Sequence, residues 1–87
     1  MPKNPPIIED LSFTFLSRTP IGSVIEEIKK TSETVRNVEL IDSYQNTKTF
    51  RITYQHPEKS LTDKEVGKVR ERIIEKINQK FQGKLKG

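Results

Sequence analysis

Eighty-seven residues, 31% hydrophobic and 32% charged, make one domain with a single small core between two layers and leave no room for a second. Sixteen lysines and arginines against twelve acidic residues give a net charge of +4, enough for solubility and a weak preference for acidic partners but no extended cationic arm. Cysteine is absent and histidine occurs once, which excludes disulfides and thiolate metal sites and argues against zinc.

The opening MPKNPPII lacks the apolar run of a signal peptide or membrane span, so a soluble, cytoplasmic chain without membrane contact is expected. Pro2, Pro5 and Pro6 mark residues 1–6 as an extended leading segment, of the kind left when a domain is cut from a longer polypeptide, with the domain itself over 7–87. Leu11, Phe13 and Phe15 alternate with Ser12 and Thr14, predicting a strand from Ile7 to Leu16 with Asp10 on its other face. Thr19-Pro20 predicts a helix start, with the Thr19 hydroxyl as cap and proline at the first helical position. Ile21, Val24, Ile25 and Ile28 form its apolar stripe, and Lys29-Lys30-Thr31-Ser32 ends it.

Val35 to Gln45, with Val38, Leu40 and Ile41, reads as a second strand, and Gln45-Asn46-Thr47 as the polar turn of a hairpin. Phe50, Ile52 and Tyr54 alternate with Thr49, Arg51, Thr53 and Gln55 in the third strand, which His56-Pro57 closes. Thr62-Asp63-Lys64-Glu65 spells a capping box, with Leu61 and Val66 placed as its hydrophobic staple. The second helix is predicted from Asp63 to about Gln82, striped by Val66, Val69, Ile73, Ile77 and Phe81, with Gly83 as a left-handed stop. Lys84-Leu85-Lys86 can add a last strand. The order defines an α+β fold of the ferredoxin-like βαββαβ type, a four-stranded antiparallel sheet with two helices on one face. Its other face stays open, and several nucleic-acid binders of this shape stack bases there.

No nucleophile–base pair, carboxylate pair or glycine-rich phosphate loop is evident, so neither catalytic residues, a metal site nor a cofactor is expected in this domain. Asp10, Asp42 and His56 are scattered, and His56 reads as a strand-end residue rather than a general base. In the second helix Lys64, Lys68, Arg70, Arg72, Lys76 and Lys80 intermix with Glu65, Glu71 and Glu75, the pattern of a solvated face with i, i+4 pairs. Arg51, Lys48, Lys84 and Lys86 differ, because they flank or extend one sheet and can meet one phosphate backbone. Of the two tyrosines, Tyr54 shares a face with Phe50 and Ile52 and is expected in the core with a hydrated hydroxyl. Tyr44 is open to two placements: parity with Val38 and Leu40 turns it inward, whereas a bulge or fraying at the hairpin end would expose it.

From about Pro6 to Gly87 the chain resembles the ferredoxin-fold anticodon-binding domain at the C-terminus of the bacterial phenylalanyl-tRNA synthetase β subunit. The resemblance is carried by Asp10-Leu11-Ser12-Phe13, by Ile41-Asp42-Ser43-Tyr44, similar to the family's Phe-Asp-x-Tyr, and by Lys48-Thr49, similar to its Lys-Ser. His56-Pro57 through Leu61-Thr62-Asp63-Lys64-Glu65-Val66 and the tail Lys84-Leu85-Lys86-Gly87, similar to Leu-Arg-Gly, complete it. The resemblance implies a domain that grips the anticodon stem-loop of phenylalanine tRNA. In it Tyr44 would stack on the first anticodon base, Asp42 would accept hydrogen bonds from that base, and Thr49 would add a polar contact. Lys86 stands where the family usually has arginine, keeping the charge and losing the planar fork.

The resemblance further implies that catalysis, with ATP and Mg, lies elsewhere in a parent enzyme, and that the partners are the rest of its β subunit and its α subunit, the isolated domain being monomeric. Three departures from the family are Glu9 in place of arginine before Asp-Leu, Ile41 in place of phenylalanine as a core substitution, and the short turn at 45–47. Two competing readings are a non-catalytic protein-interaction domain using the open sheet face or an edge, and an acylphosphatase-like enzyme, whose phosphate-binding loop is missing.

Overall fold

The strand over Ile7–Thr14 (β1) lies next to the strand over Thr47–Tyr54 (β3) in a computed structural model that describes residues 4–86. Residues 1–3 of the leading segment and Gly87 of the tail lie outside the described residues. Val35–Tyr44 (β2) and Lys84–Leu85 (β4) complete one antiparallel sheet in the order β2-β3-β1-β4. The helices Ile21–Lys30 (α1) and Asp63–Phe81 (α2) supply Val24, Ile28, Val66, Ile73 and Ile77 to the core. The expected ferredoxin-like α+β fold is present.

Alternation explains which face is dry. Leu11, Phe13, Phe50, Ile52 and Tyr54 are buried under the helices, with the rings of Phe13 and Phe50 6.4 Å apart. β2 keeps pace with β3 only through two register shifts, which leave Arg36 and Ile41 as extra residues. The first lets Val35 and Val38, three apart, both point into the core. Ile41 is therefore a bulge residue, 38% exposed, rather than the core substitution expected of it.

The helix ends differ from expectation in instructive ways. Thr19 is no cap: its hydroxyl donates to the Ser17 carbonyl, and Pro20, extended at φ −72° and ψ 111°, takes the N-cap position with its carbonyl accepting from the Val24 amide. At the end of α2 the left-handed residue is Gln82, φ 57°, not Gly83. The Gln82 amide donates to the Asn78 carbonyl, the 5→1 bond of an αL cap, and the Gly83 amide donates to the Ile77 carbonyl. The hairpin turn is also shorter than expected, since Thr47 already pairs with Tyr44.

The capping box is as expected, with the Glu65 amide donating to the Thr62 hydroxyl and the Thr62 amide to the Glu65 carboxylate. A hydrogen bond from the Lys59 ammonium, and then that from the Thr62 amide, hold the Glu65 carboxyl down to about 2, from an ordinary 4.5. Because the folded value is the lower one, the stability Glu65 contributes is complete above pH 4.5 and is lost as pH falls through 2. Thermal melts of the wild type and Glu65→Gln should differ by a constant amount above that window and converge within it; a gap unchanged at pH 2 would remove the ionised carboxylate from the cap.

Three of the cations on α2 reach carboxylates of other elements instead of the helix's own glutamates. Lys76 and Lys80 approach Glu27 of α1 at 3.8 and 3.5 Å, and Arg70 grips Glu9 of β1. No i, i+4 pair within α2 occurs among the described residues. The expected solvated face is present, with Lys64, Lys68, Glu71, Arg72 and Glu75 exposed, but among the described residues its i, i+4 pairs are not, and Arg70, Lys76 and Lys80 clamp neighbouring elements instead.

Candidate nucleic-acid interface

Residues paired across an antiparallel ladder share a face, so the register reads out the uncovered side of the sheet row by row. Tyr44, Thr47, Thr14 and Lys84 make one row across all four strands. Asp42, Thr49 and Ser12 make the next, and the Lys86 amide, donating to the Ser12 carbonyl at 2.8 Å, extends it to the β4 edge. Glu39, Arg51 and Asp10 form the third. Adjacent strands lie about 4.8 Å apart, so the tyrosine edge and the lysine edge are roughly 14 Å from one another.

The bulge at Ile41 decides the fate of Tyr44. Uninterrupted alternation from Leu40, which pairs with buried Phe50, would turn Asp42 and Tyr44 under the helices; the extra residue shifts the phase and brings both onto the open face. Tyr44 is 70% exposed there. Between the edges runs a band of hydroxyls, with Ser12 and Thr49 sharing a hydrogen bond at 2.6 Å and Thr14 and Thr47 one at 3.2 Å.

Of the residues singled out in the sequence, Asp42, Tyr44, Thr49, Arg51, Lys84 and Lys86 come together on this face. Lys48 does not. It pairs with Phe13 and Ser43 on the helix side, where its ammonium donates to the Ser43 hydroxyl at 2.8 Å and to the Gln45 carbonyl at 2.6 Å. Arg51 is on the face but is held by Asp10 through two hydrogen bonds, Nε to Oδ1 at 3.0 Å and Nη2 to Oδ2 at 3.2 Å. That bidentate hydrogen bond, chiefly, pushes the Asp10 carboxyl down and the guanidinium up. Ser12, Thr14 and Thr47 were missed, although their alternation with Leu11, Phe13 and Phe50 was the signal that could have found them.

Beneath the sheet the reversal of charge at Glu9 finds its counter-ion. The Arg70 guanidinium donates to both Glu9 oxygens at 2.8 to 3.1 Å, and the Tyr54 hydroxyl donates to Oε1 at 2.8 Å. Tyr54 is thus buried as expected, but its hydroxyl is satisfied by a carboxylate rather than by water. Burial first, then the Glu9 carboxylate, raise the phenol well above its ordinary range. Glu9 points away from the open face, so its negative charge does not oppose a phosphate there.

An exposed aromatic ring beside a carboxylate can stack a base and accept hydrogen bonds from its N–H groups, hydroxyls suit sugars, and lysines suit phosphates. Among the described residues no group of three or more histidine, cysteine or acidic side chains is arranged to hold a metal ion. His56 is occupied locally, its Nδ1 accepting from the Glu58 amide at 3.0 Å.

Fold and face together define a ferredoxin-like α+β domain with a polar, partly aromatic open sheet. The chain belongs to the family described as the ferredoxin-fold anticodon binding domain, which matches residues 2–86. It is similar to the phenylalanine–tRNA ligase β subunit of Prochlorococcus marinus subsp. pastoris, 32% identical over 98% of this chain and 11% of that protein. The corresponding β subunit of Geobacillus kaustophilus is 26% identical over 100% of this chain and 12% of its own length. The mitochondrial phenylalanine–tRNA ligase of Mus musculus is 33% identical over 84% and 18%. The chain thus spans about a tenth of the β subunits it matches, and corresponds to a binding domain rather than a catalytic one. No described helix is long and apolar enough to cross a membrane.

Proposed function

We propose that this domain binds the anticodon stem-loop of phenylalanine tRNA as part of a cytoplasmic phenylalanine–tRNA ligase, beside the rest of its β subunit and its α subunit. Aminoacylation, with its ATP and Mg, belongs to other parts of that enzyme. The observation that carries this reading is the convergence of Tyr44, Asp42 and Thr49 on one open face, brought about by the Ile41 bulge. On it Tyr44 stacks the first anticodon base, Asp42 accepts from that base, and Lys84 and Lys86 meet phosphates. Lys86 acts as a point charge, without the fork of an arginine.

Titration of the labelled domain with the anticodon stem-loop at low salt should shift resonances of Asp42, Tyr44, Thr49 and Lys84 to Lys86, with an affinity on the order of 10⁻⁴–10⁻⁶ M. Rising ionic strength should weaken this binding steeply. Shifts confined to α2, or none, count against the site. Binding to a protein partner through the same face would persist in salt, which separates the competing interaction reading.

A further inference from the structure

Lys48 raises a question the open face does not answer, because a cation expected at the RNA lies on the sheet's other side. It lines a cleft of about 370 Å³ between the β1–α1 loop and the tip of the β2–β3 hairpin, together with Ser17, Arg18, Thr19, Gln45 and Asn46. Among the described residues no carboxylate lines this cleft. Arg18 is exposed and makes no ion pair with any described residue. The partners of the Lys48 ammonium, a hydroxyl and a carbonyl, are neutral, so its charge stands uncompensated, and two bonds leave it a third donor. The cleft near His56 differs, since its Lys59 is already paired with Glu65.

The position of the first cleft matters as much as its charge. Gln45 and Asn46, which line it, are the two residues between Tyr44 and Thr47 in the first row of the open face. A strand whose base stacks on Tyr44 needs only to round the hairpin tip to reach it. We propose that this cleft holds a backbone phosphate of the same RNA, next to the nucleotide on Tyr44, with Arg18 and Lys48 supplying the charge. The RNA footprint then wraps the end of the sheet instead of stopping at its edge. This rests on the anticodon-binding reading above.

Arg18 is the test position, because Lys48 also holds the turn together. Affinity of wild type and Arg18→Gln for the anticodon stem-loop, by fluorescence anisotropy from 50 to 200 mM salt, should give a log–log slope shallower in the variant by about 0.7, the single-strand value for one phosphate. Across that range the variant should lose about 2.5-fold less affinity than the wild type. Arg18→Lys should keep the wild-type slope. Preference for the cognate stem-loop over one with a substituted first anticodon base should be unchanged, since phosphate contacts carry no sequence information. An unaltered slope in Arg18→Gln, with binding that still depends on Tyr44, overturns this site alone, as does a lost base preference. Failure of the wild type to bind at 50 mM salt overturns the anticodon reading and this site with it.

Discussion

Alanine at position 44 should lower affinity for the anticodon stem-loop by about 5- to 150-fold, corresponding to the 1–3 kcal/mol of one base stacked on an aromatic ring. Stability should change little, within about 0.5 kcal/mol, because the side chain is 70% exposed and lies outside the core cluster. Tyr44→Phe should retain most of the affinity, since the stacking surface survives. The loss in Tyr44→Ala should also be nearly independent of salt, the reverse of the behaviour expected for Arg18→Gln, because stacking releases no counterions. Anisotropy with a labelled stem-loop at two salt concentrations measures both features. Equal affinity in wild type and Tyr44→Ala would exclude stacking on this face, whatever the fold.

The fate of Tyr44 also shows where the sequence stops being legible. Strands and helices follow from alternation and from stripes at helical spacing, and those signals placed Phe13, Phe50, Ile52, Val24 and Ile73 in the core. A β-bulge breaks that inference locally. One extra residue reverses the side on which everything beyond it lies, and nothing in Leu40-Ile41-Asp42 announces which of them is the extra one. Lys48 is the converse case: its alternation with Thr49 already put it on the opposite face, but its charge drew it into the same group as Arg51. Glu9 looked like a reversed charge near the RNA, and only the packing of α2 on β1 reveals Arg70 as its partner. Contacts between elements distant in sequence decide such cases, and local propensity is blind to them.

Adjacent substitutions at the end of α2 should move stability in opposite directions. Gly83→Ala should destabilise by about 1–3 kcal/mol, because a methyl group there would lie 2.6 Å from Phe15 Cε1 and 2.8 Å from Ile77 Cγ2. Both neighbours are buried, so neither can move aside without disturbing the core. Gln82→Gly should instead stabilise by roughly 0.5–1 kcal/mol, since Gln82 holds φ 57°, a conformation costly for any residue with a Cβ. Each kcal/mol corresponds to a Tm change of about 4–8 °C in a domain of this size, within reach of calorimetry. If Gln82→Gly were destabilising, Gln82 would not be the left-handed residue and Gly83 would take that place, as helix-ending rules alone suggest; a neutral Gly83→Ala would instead remove the close approach to Phe15 and Ile77. The distinction reaches the binding face. Gly83 is where α2 closes on Phe15 just before Lys84 and Leu85 join β1, so a side chain there should disturb the pairing of β4 that brings Lys84 and Lys86 to the open sheet. Gly83→Ala should therefore flatten the salt dependence of RNA binding at temperatures well below its Tm, while Gln82→Gly, which leaves that contact intact, should preserve it.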